Sequence, residues 1–365
     1  MIATQIDTNM LQKGGAAEEG GHLMTLPEIV PIDQIAPPVL AEPPPPLSLA
    51  EGMITLAELY EADIPEPESL VGSWWLEENI GFLYGERGRG KSWMGLNLAC
   101  CLAEGRDCGP WRISKPRRVL YVDGEMNVSA IRKRIRAMGQ SPDAPLHLLS
   151  RKYRVGRRRI ASLDLTDPSV QKELLELCWK HKIEVLILDN HSCLFFGIRE
   201  NDADDWGQVL NFLQEMQALG VSPCIVHHAG RAGGHMRGTS RREDGADWMM
   251  QVAATDDNEP PEAGYKTKFV SEFTKSRTGI GEDAGPWEWT YETPAEGEAT
   301  TIRWSLLSRL KVFVKHIEEG LEQCSEIAEA MGVRNDIVSK LAKKAAEQNL
   351  IKIEGSGNRK RYLLR

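Results

Sequence analysis

The 365-residue sequence lacks an apolar run long enough to cross a membrane, and it lacks a basic start followed by an apolar stretch. A membrane-spanning helix needs about 20 consecutive apolar residues, and secretory leaders place an apolar core behind a positively charged start. We therefore expect a soluble, cytoplasmic protein. The seven cysteines form no CxxC pair and have no metal-ligand spacing, which is typical of buried thiols in a reducing compartment rather than of a metal site.

Positive charge is nearly absent from the first part of the chain. Residues 1–71 contain Lys13 as their single basic residue and twelve acidic residues, whereas the whole chain has a net charge of −9. The remainder is thus mildly basic, and the low overall charge does not exclude nucleic acid. Residues 1–50 are rich in Gly, Glu and Pro and poor in aromatic residues, which predicts a disordered tail. A solvated linker and an interaction segment both remain open for it.

Residues 51–305 alternate short apolar runs with longer amphipathic stretches, which predicts an α/β domain with a mainly parallel central sheet. Strands are expected at 80–84, 118–122, 147–149, 184–188, 223–227, 267–273, 287–291 and 301–304. Helices are expected at 92–104, 128–138, 169–181, 205–219 and 240–250. The last strands have no long helices between them, so we expect them to form an antiparallel extension.

Residues 306–365 change in character to three expected helices, at 307–319, 325–331 and 334–348, followed by a hairpin. The turn before the last helix is expected at Gly332-Val333. This region resembles a winged helix-turn-helix domain, a fold that serves either DNA binding or protein contacts. For DNA binding, the expected contacts to a duplex are Arg334, Lys340 and Lys344 in the last helix and Arg359 and Lys360 in the wing.

A phosphate-binding motif, G-x-x-x-x-G-K-S, occupies residues 85–92, behind an apolar strand and ahead of a helix. Glycines let the backbone turn its N–H groups toward phosphates, and the helix start adds a favourable dipole. Lys91 is expected to neutralise the terminal phosphates, and Ser92 to bind Mg²⁺. The predicted ATP-binding residues are Gly85, Glu86, Arg87, Gly88, Arg89, Gly90, Lys91 and Ser92. The strand–loop–helix context disfavours a chance match in a glycine-rich turn.

Two further apolar strands end in acidic residues. The run IEVLILD ends in Asp189, about a hundred residues after the P-loop, which has the Walker B form and predicts a second Mg²⁺ contact. The next residue is Asn190, so the glutamate that often follows this aspartate is absent. The run YVDGEM offers Glu125 and, as its competitor, Asp123 as the base that activates water.

The residues now resemble a known family. YVDGEM, VLILDN, IVHHAG and RGTSRREDGADWMM occur in the order found in RecA-fold ATPases of the plasmid RepA hexameric helicase type (AAA_25-type), and more distantly in DnaB-type replicative helicases. The likeness covers residues 51–304. It implies a RecA-like P-loop NTPase core in which the catalytic glutamate follows the second strand, which favours Glu125. It also implies a γ-phosphate sensor at the histidine pair, with His228 aligning better than His227.

The same resemblance extends to FTKSRTG, which looks like the K-x-R-x-G element of DnaB-like proteins. It implies that Lys275 and Arg277 act in the ATP site of a neighbouring subunit, where an arginine stabilises charge on the transferred phosphoryl group. The alternative is a basic hairpin tip without a catalytic role. Action on a neighbour requires a homo-oligomer, which the resemblance suggests is a hexameric ring.

Basic clusters at 132–136, 151–159 and 231–242 are candidates for nucleic-acid binding. In RecA-like rings the loops after Walker B and after the sensor strand face a central channel, and here these are residues 191–204 and 229–240. Arg231 and Arg237 are therefore expected to contact single-stranded DNA, whereas 132–136 is typical of a solvated face. The sequence indicates a RepA-like ring helicase or translocase for a plasmid, phage or mobile element. An ATP-switched DNA-binding regulator is the alternative.

Overall fold

The computed structural model describes residues 48–155, 157–198, 203–228, 244–255, 264–279, 281–331, 333–357 and 360–365. The tail predicted over residues 1–50 lies outside these ranges, apart from its last three residues. The helices are α1 Leu49–Gly52, α2 Leu56–Glu61, α3 Lys91–Glu104, α4 Val128–Ala137, α5 Pro168–His181, α6 His191–Leu194, α7 Ala203–Ala218, α8 Arg309–Glu318, α9 Cys324–Ala330 and α10 Asn335–Glu347, with a 3₁₀ turn at Gly281–Ala284. None of these helices has the length and apolar content needed to cross a membrane.

The strands within the described ranges are β1 Ser69–Val71, β2 Trp75–Leu76, β3 Gly81–Gly85, β4 Val119–Asp123, β5 Leu146–Ser150, β6 Arg154–Val155, β7 Arg158–Arg159, β8 Val185–Asp189, β9 Ser222–His228, β10 Trp248–Ala254, β11 Tyr265–Ser276, β12 Trp287–Thr293, β13 Thr301–Leu306, β14 Ile351–Glu354 and β15 Arg361–Leu364. Each strand predicted from the sequence is present within a few residues of its expected bounds. The short antiparallel pairs β1–β2 and β6–β7 were not predicted.

A nine-stranded sheet forms the centre of the fold, in the order β13-β12-β11-β10-β3-β9-β8-β4-β5. The six strands from β10 to β5 are parallel, and β11 to β13 continue the sheet in antiparallel fashion. The mixed α/β class and the mainly parallel sheet are therefore confirmed. Because parallel strands end on the same side, β3, β9, β8 and β4 finish together at Gly85, His228, Asp189 and Asp123, which we call the carboxyl edge. The opposite edge, where β3 begins at Gly81, is the amino edge.

The parallel strands are covered on both faces. β3, β4 and β8 read GFLYG, VLYVD and VLILD, and every residue in them is buried. Helix α3 and a group of tryptophans pack on one face, and α5, α6 and α7 on the other. Strands of this kind are apolar throughout because helices exclude water from both sides. Asp189 is therefore the one polar residue of β8, and β4 has only Tyr121 and Asp123.

Of the helix predicted over residues 240–250, residues 240–243 lie outside the described ranges, residues 245–247 are not helical, and residues 248–250 form a strand instead. These residues begin strand β10, which pairs with β3 on one side and β11 on the other. Met has a high intrinsic helix propensity, but Trp248, Met250 and Val252 alternate along the strand and are all buried in the tryptophan-rich core. Burial and pairing on both sides override local propensity here.

Residues after Leu306 form three helices and a hairpin in the predicted order. Helices α8, α9 and α10 and strand β14 surround a small core of their own that includes Phe313, Ile327, Val338 and Tyr362. Strands β14 and β15 pair antiparallel. Gly332 of the predicted turn and Arg359 of the predicted wing lie outside the described residues.

Candidate active site

The P-loop joins β3 to α3 at the carboxyl edge. Gly88 and Gly90 have φ values of 74° and 90°, which suit glycine. Gly90 caps α3 without a side-chain hydrogen bond, so the first N–H groups of this 14-residue helix are not satisfied by a capping side chain. A Cβ at Gly85 would lie 2.0 Å from the Val252 carbonyl oxygen, and one at Gly90 would lie 2.3 Å from Phe269. Both glycines are therefore needed where the loop passes β10 and β11.

The P-loop has four charged residues, of which Lys91 is buried and the other three are more accessible to solvent. Lys91 is 5% exposed, and its ammonium donates to the Glu86 carbonyl oxygen at 2.5 Å. Arg89 pairs with the Glu86 carboxylate at 3.2 Å, and Arg87 is exposed. Burial lowers the pKa of Lys91 to about 8, although the carboxylates of Asp189 and Glu125 oppose that change. An anionic ligand would favour the charged lysine further.

Asp189 lies at the end of β8 and is 2% exposed. The Tyr121 hydroxyl donates to its Oδ2 at 2.5 Å, while Oδ1 is buried without a hydrogen-bond partner among the described residues. Burial raises the pKa of Asp189, and hydrogen bonds from Tyr121 and Ser92 lower it. Ser92 and Asp189 are the two residues predicted to bind Mg²⁺. They therefore lie close together, Ser92 in the first turn of α3 and Asp189 at the end of β8. Tyr121 was missed by the sequence reasoning because it reads as one more apolar residue of β4.

The two candidates for the base differ in their surroundings. Asp123 pairs with Asp189 in the register of β4 and β8 and is 1% exposed. The Met126 amide donates to its Oδ1 at 2.8 Å, while burial and then the nearby Asp189 raise its pKa to about 7. Glu125 is exposed at the rim, where a water molecule could reach it.

Asn190 positions the Glu125 side chain. Its amide nitrogen donates to Glu125 Oε2 at 2.5 Å. Sequence reasoning treated this asparagine only as a missing glutamate, although its place directly after the Walker B aspartate could have suggested contact with the neighbouring strand end. The backbone carbonyl of Glu125 also accepts a hydrogen bond from Lys152, a second contact that the sequence did not indicate.

The two histidines of β9 face opposite sides of the sheet. His228 pairs with Gly85 and is partly buried, on the face that carries α3. His227 is fully buried on the other face, with its ring 4.8 Å from that of His191 and 6.3 Å from that of Trp206. Position next to the P-loop therefore favours His228 as the predicted sensor, and packing accounts for His227.

Lys275 and Arg277 lie at the other end of the sheet. Trp248 pairs with Gly81 and with Ser276, which places the end of β11 at the amino edge. Arg277 lies one residue beyond this level, about five residues from Gly85, so at about 3.3 Å per residue it is roughly 17 Å from Gly85 along the strand direction. Its guanidinium is 3.3 Å from Asp247 Oδ1 and also donates to the Asp244 carbonyl, and its side chain is 53% exposed. The structure does not bring these two residues to the P-loop of their own chain.

The predicted DNA contacts are distributed over exposed surface or lie outside the described ranges. Arg334 and Lys340 are 83% and 81% exposed and both lie near Asp336, at 3.3 Å and 3.8 Å. Lys344 and Lys360 are exposed as well. Arg231, Arg237 and Arg359 fall outside the described residues, as does the whole of the predicted second channel loop, residues 229–240. Of the other predicted channel loop, residues 191–204, residues 191–194 form the short helix α6, residues 199–202 lie outside the described ranges, and α7 begins at Ala203.

The sequence matches a family model described as an AAA domain over residues 43–234, just over half of the chain. A KaiC-like protein from the hyperthermophilic archaeon Pyrococcus horikoshii OT3 is similar in structure, with 13% identity and a TM-score of 0.43 over 64% of this chain and 93% of that one. No curated protein matches the sequence. The matched residues include the P-loop, Glu125, Asp189 and both histidines, and the chain belongs to the AAA_25 family of AAA domains, a family of P-loop ATPases.

Proposed function

We propose that this chain is an ATP-hydrolysing, ring-forming DNA helicase or translocase of the RepA-like kind, acting in replication of a plasmid, phage or mobile element. The observation that carries the proposal is the division of its catalytic residues between two edges of one sheet. Lys91, Asp189 and Glu125 meet at the carboxyl edge, whereas Arg277 lies at the amino edge. A chain arranged in this way completes its ATP site only with a neighbour.

The carboxyl edge suits a nucleoside triphosphate with Mg²⁺. The uncapped start of α3 offers N–H groups to phosphate, and the buried Oδ1 of Asp189 lacks a hydrogen-bond partner among the described residues. Mg²⁺ prefers oxygen ligands of this kind. Ser92 and Asp189 would hold the ion, and Lys91 would neutralise phosphate oxygens. When bound, Mg²⁺ would supply charge neutralisation during phosphoryl transfer.

The hydrolytic step needs a base beside the terminal phosphate. Glu125 would take the proton of the attacking water on Oε1, since Oε2 is engaged by Asn190. Asn190 would thereby hold the carboxylate in one orientation. His228, at the strand end next to Gly85, would respond to the presence of the last phosphate. Arg277, with Lys275 beside it, would arrive from the adjacent subunit and stabilise the developing charge.

The C-terminal helices and hairpin support a second contact with DNA. We propose that they form a winged helix-turn-helix domain that presents α10 to a duplex, with Arg334, Lys340 and Lys344 on its exposed side. These exposed cations also favour the alternative function, an ATP-switched regulator that binds a specific duplex and uses ATP for assembly rather than unwinding.

Turnover and strand separation distinguish the two functions. ATP hydrolysis would be measured with and without single-stranded DNA, alongside strand displacement on a forked duplex, with Lys91→Ala as the inactive control. Single-strand stimulation together with displacement supports the helicase. Duplex-only, sequence-dependent binding without displacement would overturn it in favour of the regulator. Sedimentation with and without nucleotide tests for the expected hexamer.

A further inference from the structure

A basic groove lies beside the catalytic loop. It has a volume of about 870 Å³ and lies between the start of α4 and residues 151–161. Among the described residues, its lining contains the cations Arg132, Arg151, Lys152, Arg154 and Arg159 and no acidic residue. We propose that this groove binds the phosphodiester backbone of single-stranded DNA. The inference deepens the proposed function and rests on it, since it names where the translocated strand contacts the ATPase domain.

The register of the short β6–β7 pair is the first argument for an anionic occupant. Arg154 lies directly opposite Arg159, with Val155 opposite Arg158. Like charges in cross-strand positions repel each other and destabilise the pair. Within the described part of the chain, neither Arg154 nor Arg159 has an ion pair with an acidic side chain. A phosphate between the two guanidinium groups would remove this repulsion.

The second argument is the shape and polarity of the groove wall. Asn127 caps α4, so the positive end of this ten-residue helix faces the same space as the arginines. Arginine also presents a planar fork of donors that matches phosphate oxygens. A basic face that is only solvated does not require a concave shape, whereas this surface is concave and its described lining contains basic side chains without acidic ones.

Aromatic side chains favour nucleic acid over an acidic peptide. Tyr153 lines the groove and is 54% exposed. Arg151 lies 5.4 Å above the ring of Phe196, which is 40% exposed. Exposed rings beside a cationic track provide stacking surfaces for unpaired bases. An acidic segment, such as the chain's own first 47 residues, would use the charges but not the rings.

Lys152 connects the groove to the catalytic loop. Its ammonium donates to the backbone carbonyl of Glu125, and it lies in the groove lining. A phosphate that draws Lys152 toward the groove would therefore act on the backbone that carries the base.

Equilibrium binding of a fluorescein-labelled oligothymidylate to the full chain tests the inference. The double variant Arg154→Ala/Arg159→Ala should bind roughly tenfold more weakly, with a salt dependence shallower by about 1.4 in logarithmic slope, since each lost single-strand phosphate contact removes about 0.7. The control Lys172→Ala/Lys266→Ala removes the same charge from exposed positions elsewhere and should match the wild type. The charge-preserving double variant Arg154→Lys/Arg159→Lys should retain the wild-type slope, which separates charge from folding effects.

The outcomes separate this inference from the proposed function. A wild-type chain that binds neither oligothymidylate nor oligouridylate overturns both. A wild-type chain that binds it, with an arginine variant of equal affinity and slope, overturns the groove alone. Binding of oligouridylate but not oligothymidylate overturns the assignment to DNA. A labelled peptide of residues 1–47 that loses binding in the arginine variant, while the oligonucleotide does not, assigns the groove to the acidic segment instead.

Discussion

The carboxyl edge and the amino edge of the central sheet differ in the burial of their charged residues. At the carboxyl edge, Lys91, Asp123 and Asp189 are buried, and burial shifts the pKa of each toward its neutral form. At the amino edge, Arg277 is half exposed and held by surface contacts. Buried, poorly satisfied charges are costly unless a ligand compensates them, whereas an exposed arginine can exchange partners. Under the proposed function, we call the carboxyl edge the receiving edge and the amino edge the delivering edge.

The strongest test of this division is Arg277→Ala. The variant should lose about 10³-fold in ATP turnover but little stability, because the exposed ion pair with Asp247 contributes about 1 kcal/mol or less. Turnover is measured in steady state, and stability by urea unfolding.

Mixing shows whether the loss acts between subunits. Arg277→Ala chains combined with Glu125→Gln chains should regain turnover, because about a quarter of randomly formed interfaces pair an intact Glu125 with an intact Arg277. A mixture no more active than its components would mean that each chain uses its own arginine, or none.

At the receiving edge, the Glu125→Gln variant tests whether Glu125 or the buried Asp123 acts as the base. Turnover should fall by about 10²–10⁴-fold with nucleotide affinity retained, because the P-loop and Asp189 are untouched. Asn190→Ala should give a smaller loss, since it only frees the carboxylate that it holds. If Glu125→Gln turns over normally and Asp123→Asn does not, the roles of the two acids are reversed.

Sequence alone predicted which acidic residues end the parallel strands, but not how far Arg277 lies from the P-loop. Apolar strands that end in Asp123 and Asp189 are visible in the sequence, and parallel strands necessarily finish together. The distance of Arg277 from the P-loop depends on the register of β10. The start of this strand was predicted as a helix because Met residues favour helices. Likewise, Tyr121 donates a hydrogen bond to Asp189, and Asn190 donates one to Glu125. Both contacts join neighbouring strands, so they depend on the order of strands in the sheet and are not visible in the local sequence pattern.

The protonation of Asp123 tests how strongly the receiving edge excludes water. Its pKa is raised from 3.8 to about 7, so between these pH values the folded state retains a proton that the unfolded state has released. Its contribution to stability should therefore decrease as the pH rises from about 4 to 7 and then stay constant. Asp123→Asn removes this dependence, so between pH 5 and pH 8 the wild type should lose about 3 kcal/mol of unfolding free energy relative to the variant. Nucleotide-free urea unfolding from pH 5 to 8 measures it, and parallel curves would show an ionised Asp123.

Lys91 offers the smallest and most specific readout of the same edge. With a pKa of about 8 in the free chain, the lysine is partly deprotonated at pH 8. Bound phosphates would raise its pKa, so nucleotide binding at pH 8 should take up about half a proton. Calorimetry in buffers of different ionisation enthalpy measures this uptake, which should shrink toward pH 6. Lys91→Arg keeps the charge without titrating near this pH and should bind with less uptake. Equal uptake in both chains would place the proton elsewhere, and the receiving edge would then contain a lysine already charged before its ligand arrives.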